Sequence, residues 1–220
     1  MLNRKWSSTT VNLLILTAGL CAGGVLAAMP GGTPQGIGTD RTRYVYPEGA
    51  RQLGVTLTQY AKANYLVQAW VRGINPVTGD VENVSTPFFL KQPLVKTMPG
   101  GRYGFQVIQT KPVMVHDRES VYLLSFKLIP AEEKAATYAA RANVVMTYNV
   151  KLFYRPEKLK GGGVADAAKK LTFTRQGGVL NVINPTPFWM TFYSLRIGSE
   201  SLPDDSLRQM VPPFGQANYP

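Results

Sequence analysis

The chain carries one histidine, His116, and one cysteine, Cys21. That scarcity settles most of the chemistry open to it. A zinc site built from His and Cys ligands is excluded, and so is any centre that needs a histidine pair. A Ser-His-Asp arrangement would have to use His116 with Asp117 next to it. Neighbours on an extended strand point to opposite faces, which makes that pairing awkward. His116 is therefore read as a loop histidine ahead of a strand. No pair of carboxylates stands out for acid–base work. Gly161-Gly162-Gly163 is not followed by the Gly-Lys-Ser/Thr that a phosphate-cradling loop requires. Asn83-Val84-Ser85 fits a glycosylation sequon, a match common by chance. No catalytic residue, metal or cofactor is assigned.

Cys21 lies inside a leader. Arg4 and Lys5 precede an apolar run over 11–26, closed by the small residues Ala27 and Ala28. This is the layout of a secretory signal peptide, expected over 1–28 with cleavage near Ala28. The run is broken by Gly19, Gly23 and Gly24, too short and interrupted for a comfortable membrane span. Leu20 stands where a lipoprotein signal would need a small residue. The exported chain is thus expected to hold no thiol and no disulfide, with no stable membrane insertion after cleavage. Lys and Arg number 24 against 13 Asp and Glu, a formal charge of +11. The basic residues are scattered, without the clustered, aromatic-interleaved pattern of a nucleic-acid reader. Export argues the same way, so the charge is read as favouring acidic partners and solubility.

The elements that must position any site are short strands. Segments 42–46, 54–58, 65–72, 103–109 and 120–129 are rich in Val, Tyr, Phe and Leu. Breakers separate them, among them Pro47-Glu48-Gly49, Thr78-Gly79-Asp80 and Pro99-Gly100-Gly101. Tyr122, Leu124, Phe126 and Leu128 share one face at a period of two. This spacing predicts a β-sandwich. Segment 130–140 is rich in Ala, Glu and Lys and is read as a mobile loop with at most a turn or two of helix. Residues 157–170 read as a Lys-, Gly- and Ala-rich linker or the frayed start of a second domain. Strands are expected again at 171–174, 179–183 and 188–197. The unit from 157 to 220 is short for an immunoglobulin-like sandwich of about 100 residues and reads as incomplete.

The cleanest alternation falls over 140–155. Ala142, Val144, Met146, Tyr148 and Val150 share one parity; Arg141, Asn143, Thr147, Asn149 and Lys151 share the other, with Val145 the apolar exception. A long strand with one apolar face follows. Periodicity alone leaves open whether that face covers the protein's own core or something else.

Lys151-Leu152-Phe153-Tyr154-Arg155-Pro156 resembles the signature of periplasmic fimbrial (pilus) chaperones. Other segments resemble the same family in the same order. They are Asp40-Arg41-Thr42-Arg43 with Tyr44-Val45-Tyr46-Pro47, Tyr65-Leu66-Val67-Gln68-Ala69-Trp70-Val71, Asp117-Arg118-Glu119-Ser120, Asn184-Pro185-Thr186-Pro187-Phe188, and Met210-Val211-Pro212-Pro213-Phe214. The resemblance spans roughly 39–214 and is close to the family's short-loop branch.

It implies an all-β protein of two immunoglobulin-like β-sandwich domains in a boomerang arrangement, over 29–156 and 157–220, the second incomplete. It further implies a periplasmic chaperone that binds pilus subunits by donor-strand complementation, completing an open groove with its own strand. An outer-membrane usher would receive those subunits. By position, Ala142, Val144 and Met146 would be donor residues, with Tyr148 extending the row. Arg43 and Lys151 would anchor the subunit's terminal carboxylate, and Glu119 and Arg155 would belong to a charge cluster between the domains. A competing reading, a structural pilus subunit or adhesin module, fits export and strand content but such proteins usually carry a disulfide. Neither reading is an enzyme.

Overall fold

The computed structural model describes residues 36–131 and 145–220. The expected leader with Cys21, residues 132–140 of the expected loop, Ala142 and Val144 lie outside the described residues. In chain order the first domain holds β1 (Ile37–Thr39), β2 (Arg43–Pro47), β3 (Leu53–Gln59), β4 (Tyr65–Ile74), β5 (Val81–Glu82), β6 (Phe88–Lys91), β7 (Leu94–Thr97), β8 (Arg102–Gln109), β9 (Ser120–Pro130) and β10 (Met146–Arg155). A short helix, α1 (Val164–Ala168), leads to β11 (Thr172–Gln176), β12 (Val179–Asn184), β13 (Arg196–Ile197), β14 (Glu200–Ser201) and β15 (Gly215–Tyr219).

Two sheets enclose the first core. One runs β1-β3-β8-β6; the other runs β2-β10-β9-β4-β5, with β7 also pairing β4. The period of two places Leu124, Phe126 and Leu128 inward from β9, and Val150, Leu152 and Tyr154 inward from β10. They meet Phe105, Val107, Leu57 and Tyr44 of the neighbouring strands. Phe105 and Phe126 pack edge to face, 5.4 Å between centroids. Gly100 turns the chain from β7 to β8 at φ +73°, a conformation glycine adopts without steric cost.

The chain changes sheets between β1 and β2. Asp40 fixes that crossing, its Oδ1 accepting from the Tyr44 hydroxyl at 2.5 Å and from the Thr56 N–H at 2.9 Å. The crossing delivers Arg43 to the start of β2, whose five residues pair in parallel with the second half of β10.

The second core is smaller. β11, β12 and β15 form an antiparallel sheet, and β13 and β14 pair as a separate ribbon. Val182, Met190, Val211 and Tyr219 are buried among them, with Ala167 of α1 closing one side. The expectation of a linker over 157–170 thus changes in detail. Pro156 opens a 3₁₀ turn at Glu157–Leu159 and α1 follows, because Val164 and Ala167 find apolar cover.

The strand expected over 188–197 does not form. Met190 makes a single bridge to Val211, and only Arg196–Ile197 is extended and paired. The Asn184 side chain accounts for the difference. It donates to the Phe188 and Pro212 carbonyls at 2.8 and 2.9 Å and accepts from the Thr186 N–H and hydroxyl at 3.0 and 2.6 Å. These bonds, with Pro185 and Pro187, fold the segment into a buried turn instead of a ladder.

Candidate functional site: an open strand edge beside a cationic cluster

β10 is paired on both sides for only half its length. From Met146 to Tyr154 it pairs with β9, but β2 begins opposite Lys151 and covers only Lys151 to Arg155. Among the described residues, nothing pairs with the other edge from Met146 to Val150. The backbone groups along that stretch are a template for another strand.

The side chains follow the same gradient. Val150, Leu152 and Tyr154 are buried in the core, Tyr148 is half-buried, and Met146 is 44% exposed. The Tyr148 hydroxyl lies 3.2 Å from Thr39 Oγ1 and its ring leans on Phe126. The apolar face therefore leaves the core as the strand is followed back towards Met146. Val145, of opposite parity, is also exposed.

Lys151 and Arg43 are register partners across the parallel pair, so both side chains project from the face turned away from the first core. Arg43 is tightly held. Its guanidinium carbon lies over the Phe153 ring, 3.5 Å from the centroid. Nη2 donates to Glu119 Oε2 at 2.8 Å, and Nη1 to the Trp189 carbonyl at 3.2 Å. Nε is buried and has no hydrogen-bond partner among the described residues.

Glu119 is the hub. Its side chain is fully inaccessible. Oε1 accepts from Arg155 Nε and Nη2 at 3.0 and 2.8 Å; Oε2 accepts from Arg43 and from the Trp189 backbone N–H, the latter at 3.1 Å. Its backbone is engaged as well. The Glu119 N–H donates to the Pro187 carbonyl at 2.9 Å, and the Glu119 carbonyl accepts from the Trp189 indole at 2.9 Å. The Arg155 guanidinium also approaches the Phe188 ring, 5.1 Å from its centroid.

Glu119 and Arg155 thus join strands of the first domain to the Pro187–Trp189 turn of the second. Around that junction, Trp189 and Met210 pack with Leu123 and Ile74. Two further contacts flank it: Arg208 pairs with Asp80 at 2.6 Å, and the Met210 N–H donates to the Pro76 carbonyl at 3.0 Å. Gly79 lies so close that a Cβ there would come 2.9 Å from the Arg208 carbonyl oxygen.

Charge is unbalanced at this place. Arg43 and Arg155 share one carboxylate, and Lys151 stands in register beside Arg43. Lys151 makes no ion pair among the described residues. Burial, and then the neighbouring Arg43 charge, pull its pKa below the ordinary lysine value. Burial also lowers the Arg43 value, with Glu119 opposing. An incoming anion would relieve both cations at once.

Sequence reasoning brought Arg43 and Lys151 together and linked Glu119 with Arg155. It did not foresee that Arg43 is itself bonded to Glu119, nor the parts taken by Trp189 and Phe153. Trp189 directly follows the Asn184-Pro185-Thr186-Pro187-Phe188 segment, but two of its contacts are made by backbone atoms and leave no trace in residue type. His116 lies in an exposed loop with Nδ1 3.5 Å from Glu48, while Asp117 pairs with Arg118. No cluster of three metal-ligating side chains occurs among the described residues.

The fold and site define a two-domain β protein with a half-open strand leading to a pair of neighbouring cations. Comparison with known proteins places it. Residues 36–160 match the family model described as "Pili and flagellar-assembly chaperone, PapD N-terminal domain", and residues 166–220 match "Pili assembly chaperone PapD, C-terminal domain". The chain belongs to the pilus-assembly chaperone family. It is 33% identical over 184 residues to chaperone protein FocC of Escherichia coli, covering 82% of this chain and 76% of that one. The crystal structure of the periplasmic chaperone SfaE superposes with a TM-score of 0.64 at 29% identity, over 83% of this chain and 86% of the other. The SafB chaperone of Salmonella enterica, solved in complex with SafA pilin, gives 0.71 at 24% identity over 86% and 85%, a likeness of fold.

Proposed function

We propose that this protein is a non-enzymatic periplasmic chaperone that captures fimbrial subunits along the free half of β10 and passes them to an outer-membrane usher. The observation that carries the reading is the one-sided pairing of β10 from Met146 to Val150, ending at Lys151 beside Arg43. A guest strand laid on that edge is collinear with β2 and meets its first residue. Met146, and Ala142 and Val144 beyond it, supply apolar side chains to an incomplete guest core, with Tyr148 closing the row. The guest's terminal carboxylate sits between Lys151 and Arg43, where each charge-assisted bond contributes about 1.5–3 kcal/mol. Among the described residues no helix is long and apolar enough to cross a membrane.

The test is recovery of fimbrial subunits bound to tagged chaperone from periplasmic extracts, with fimbrial subunit genes co-expressed. Lys151→Ala should lose most of the bound subunit while the chaperone keeps its melting temperature. Undiminished recovery would rule out the carboxylate anchor.

A further inference from the structure

Trp189 reaches the anchor from the second domain, and three of its groups touch two charged residues. Its indole N–H donates to the Glu119 carbonyl at 2.9 Å, its backbone N–H to Glu119 Oε2 at 3.1 Å, and its carbonyl accepts from Arg43 Nη1 at 3.2 Å. The indole bond pins residue 189 to residue 119. With that distance fixed, the two backbone groups fall where one steers the Glu119 carboxylate and the other steers the Arg43 guanidinium.

Arg43 is left with few freedoms. The Phe153 ring packs against its guanidinium carbon, Glu119 holds Nη2, and the Trp189 carbonyl holds Nη1. These contacts leave Nε, buried and unpaired among the described residues, and Lys151 in register next to it. Without the Trp189 carbonyl, the guanidinium is free to turn about its remaining bond to Glu119 and neutralise it with both nitrogens, as Arg155 already does on the other oxygen. That movement would take Arg43 out of line with Lys151.

We propose that Trp189 is a positioning residue for the carboxylate anchor: the second domain, through the indole bond to Glu119, holds Arg43 in the orientation that lets it share one anion with Lys151. The proposal rests on the carboxylate-anchor reading above and extends it. It gives the second domain a direct part in guest binding without requiring that domain to touch the guest strand.

The probe is a short synthetic peptide alternating valine and threonine, with a polar tag at its N-terminus, prepared with a free C-terminal carboxylate and as its amide. Calorimetric titration compares the two on the full-length exported chain and on Trp189→Phe, which keeps an aromatic ring against Leu123 and Met210 but lacks the indole N–H. The unmodified protein should prefer the acid peptide at least about tenfold, the low end of one charge-assisted bond. In Trp189→Phe that preference should shrink about fivefold while affinity for the amide stays the same. Full retention of the preference would overturn the positioning role. An equal loss for both peptides would also overturn it, because Trp189 would then act only on the fold. Equal affinity of the unmodified protein for the two peptides is a separate failure, that of the anchor itself. A second measurement needs no guest: the Arg43 Nε–H signal in NMR should exchange with solvent at least about tenfold faster in Trp189→Phe. Unchanged exchange would refute the proposal.

Discussion

Replacing Glu119 by glutamine puts the junction to the most direct test, since size is kept and only charge and one acceptor are lost. The carboxylate receives four N–H bonds at 2.8 to 3.1 Å, two on each oxygen, and its side chain has no solvent contact. A glutamine has one carbonyl oxygen and one NH2 group. If the NH2 takes the Oε1 place, it faces the two Arg155 donors. If it takes the Oε2 place, it faces Arg43 and the Trp189 N–H. Either way two donors lose their acceptor, and two guanidinium charges lose their counter-ion. Breaking a buried pair by removing one partner costs about 3–5 kcal/mol. The arginine side chains keep 22% and 17% exposure, so water recovers part of the loss and the lower end applies. A cost of about 3 kcal/mol in a chain of this size lowers Tm by about 6–12 °C. Scanning calorimetry at neutral pH reads it, with Asp117→Asn, an exposed neighbour, as a control that should move Tm by less than about 2 °C. A Glu119→Gln protein melting within about 2 °C of its parent would mean that the buried cluster does not hold the domains together.

Three further expectations follow from the same geometry. Met146→Asp places a charge on an exposed edge residue, so Tm should stay within about 2 °C while subunit capture falls at least about 100-fold, because a carboxylate must then enter an apolar groove; normal capture in a pull-down would move the donor row elsewhere. Lys151→Met removes a cation whose charged form is disfavoured by burial and by Arg43, so Tm at pH 7 should rise by about 1–3 °C while binding of a carboxylate-ended peptide weakens about tenfold; a fall in Tm would contradict the charge argument. Because the folded Lys151 pKa lies below its unfolded value near 10.5, the unfolded chain binds more protons in that interval, and this group adds stability as pH rises through it. Peptide affinity has the opposite slope there: a bound carboxylate favours charged lysine, so titration calorimetry should show affinity constant near neutrality and weakening as pH climbs through the lowered value, a slope absent in Lys151→Met.

The strands of the first domain were legible because one face of each is buried, and alternation then registers in residue type. Leu124, Phe126 and Leu128 announce β9, and Val150, Leu152 and Tyr154 announce β10. Short edge strands such as β6 and β7 carry only two buried or half-buried residues each and gave no usable period. The strand expected over 188–197 gives way to a turn over 184–189 whose determinants are bonds from the Asn184 and Thr186 side chains, which act in three dimensions and not by spacing. The cationic residues at the end of the open edge could be named only through the family resemblance, since a lone Arg or Lys in a sequence is most often a solvated one. That Arg43 is already bonded to Glu119 depends on β9 and β2 being brought together by β10, a non-local pairing that no window of sequence contains.

That pairing also constrains how a guest can bind. β10 runs from Met146 towards Lys151, and the free edge ends where β2 begins. A guest whose last residue reaches Lys151 must therefore run in the same direction as β10, with the evenly spaced, slanted bonds of a parallel pair. Sliding that guest by one residue would turn its whole apolar set to the opposite face, so the position of the terminal charge fixes the register of every side chain before it. The proposed anion site at the end of this edge strand would accordingly do more than add affinity. It would select, among the many ways two edges can align, the one in which Met146 falls on the guest's core. On the proposed reading, register selection is what Arg43 and Lys151 contribute beyond affinity, while Glu119 and Arg155 keep Arg43 in place at the strand's end.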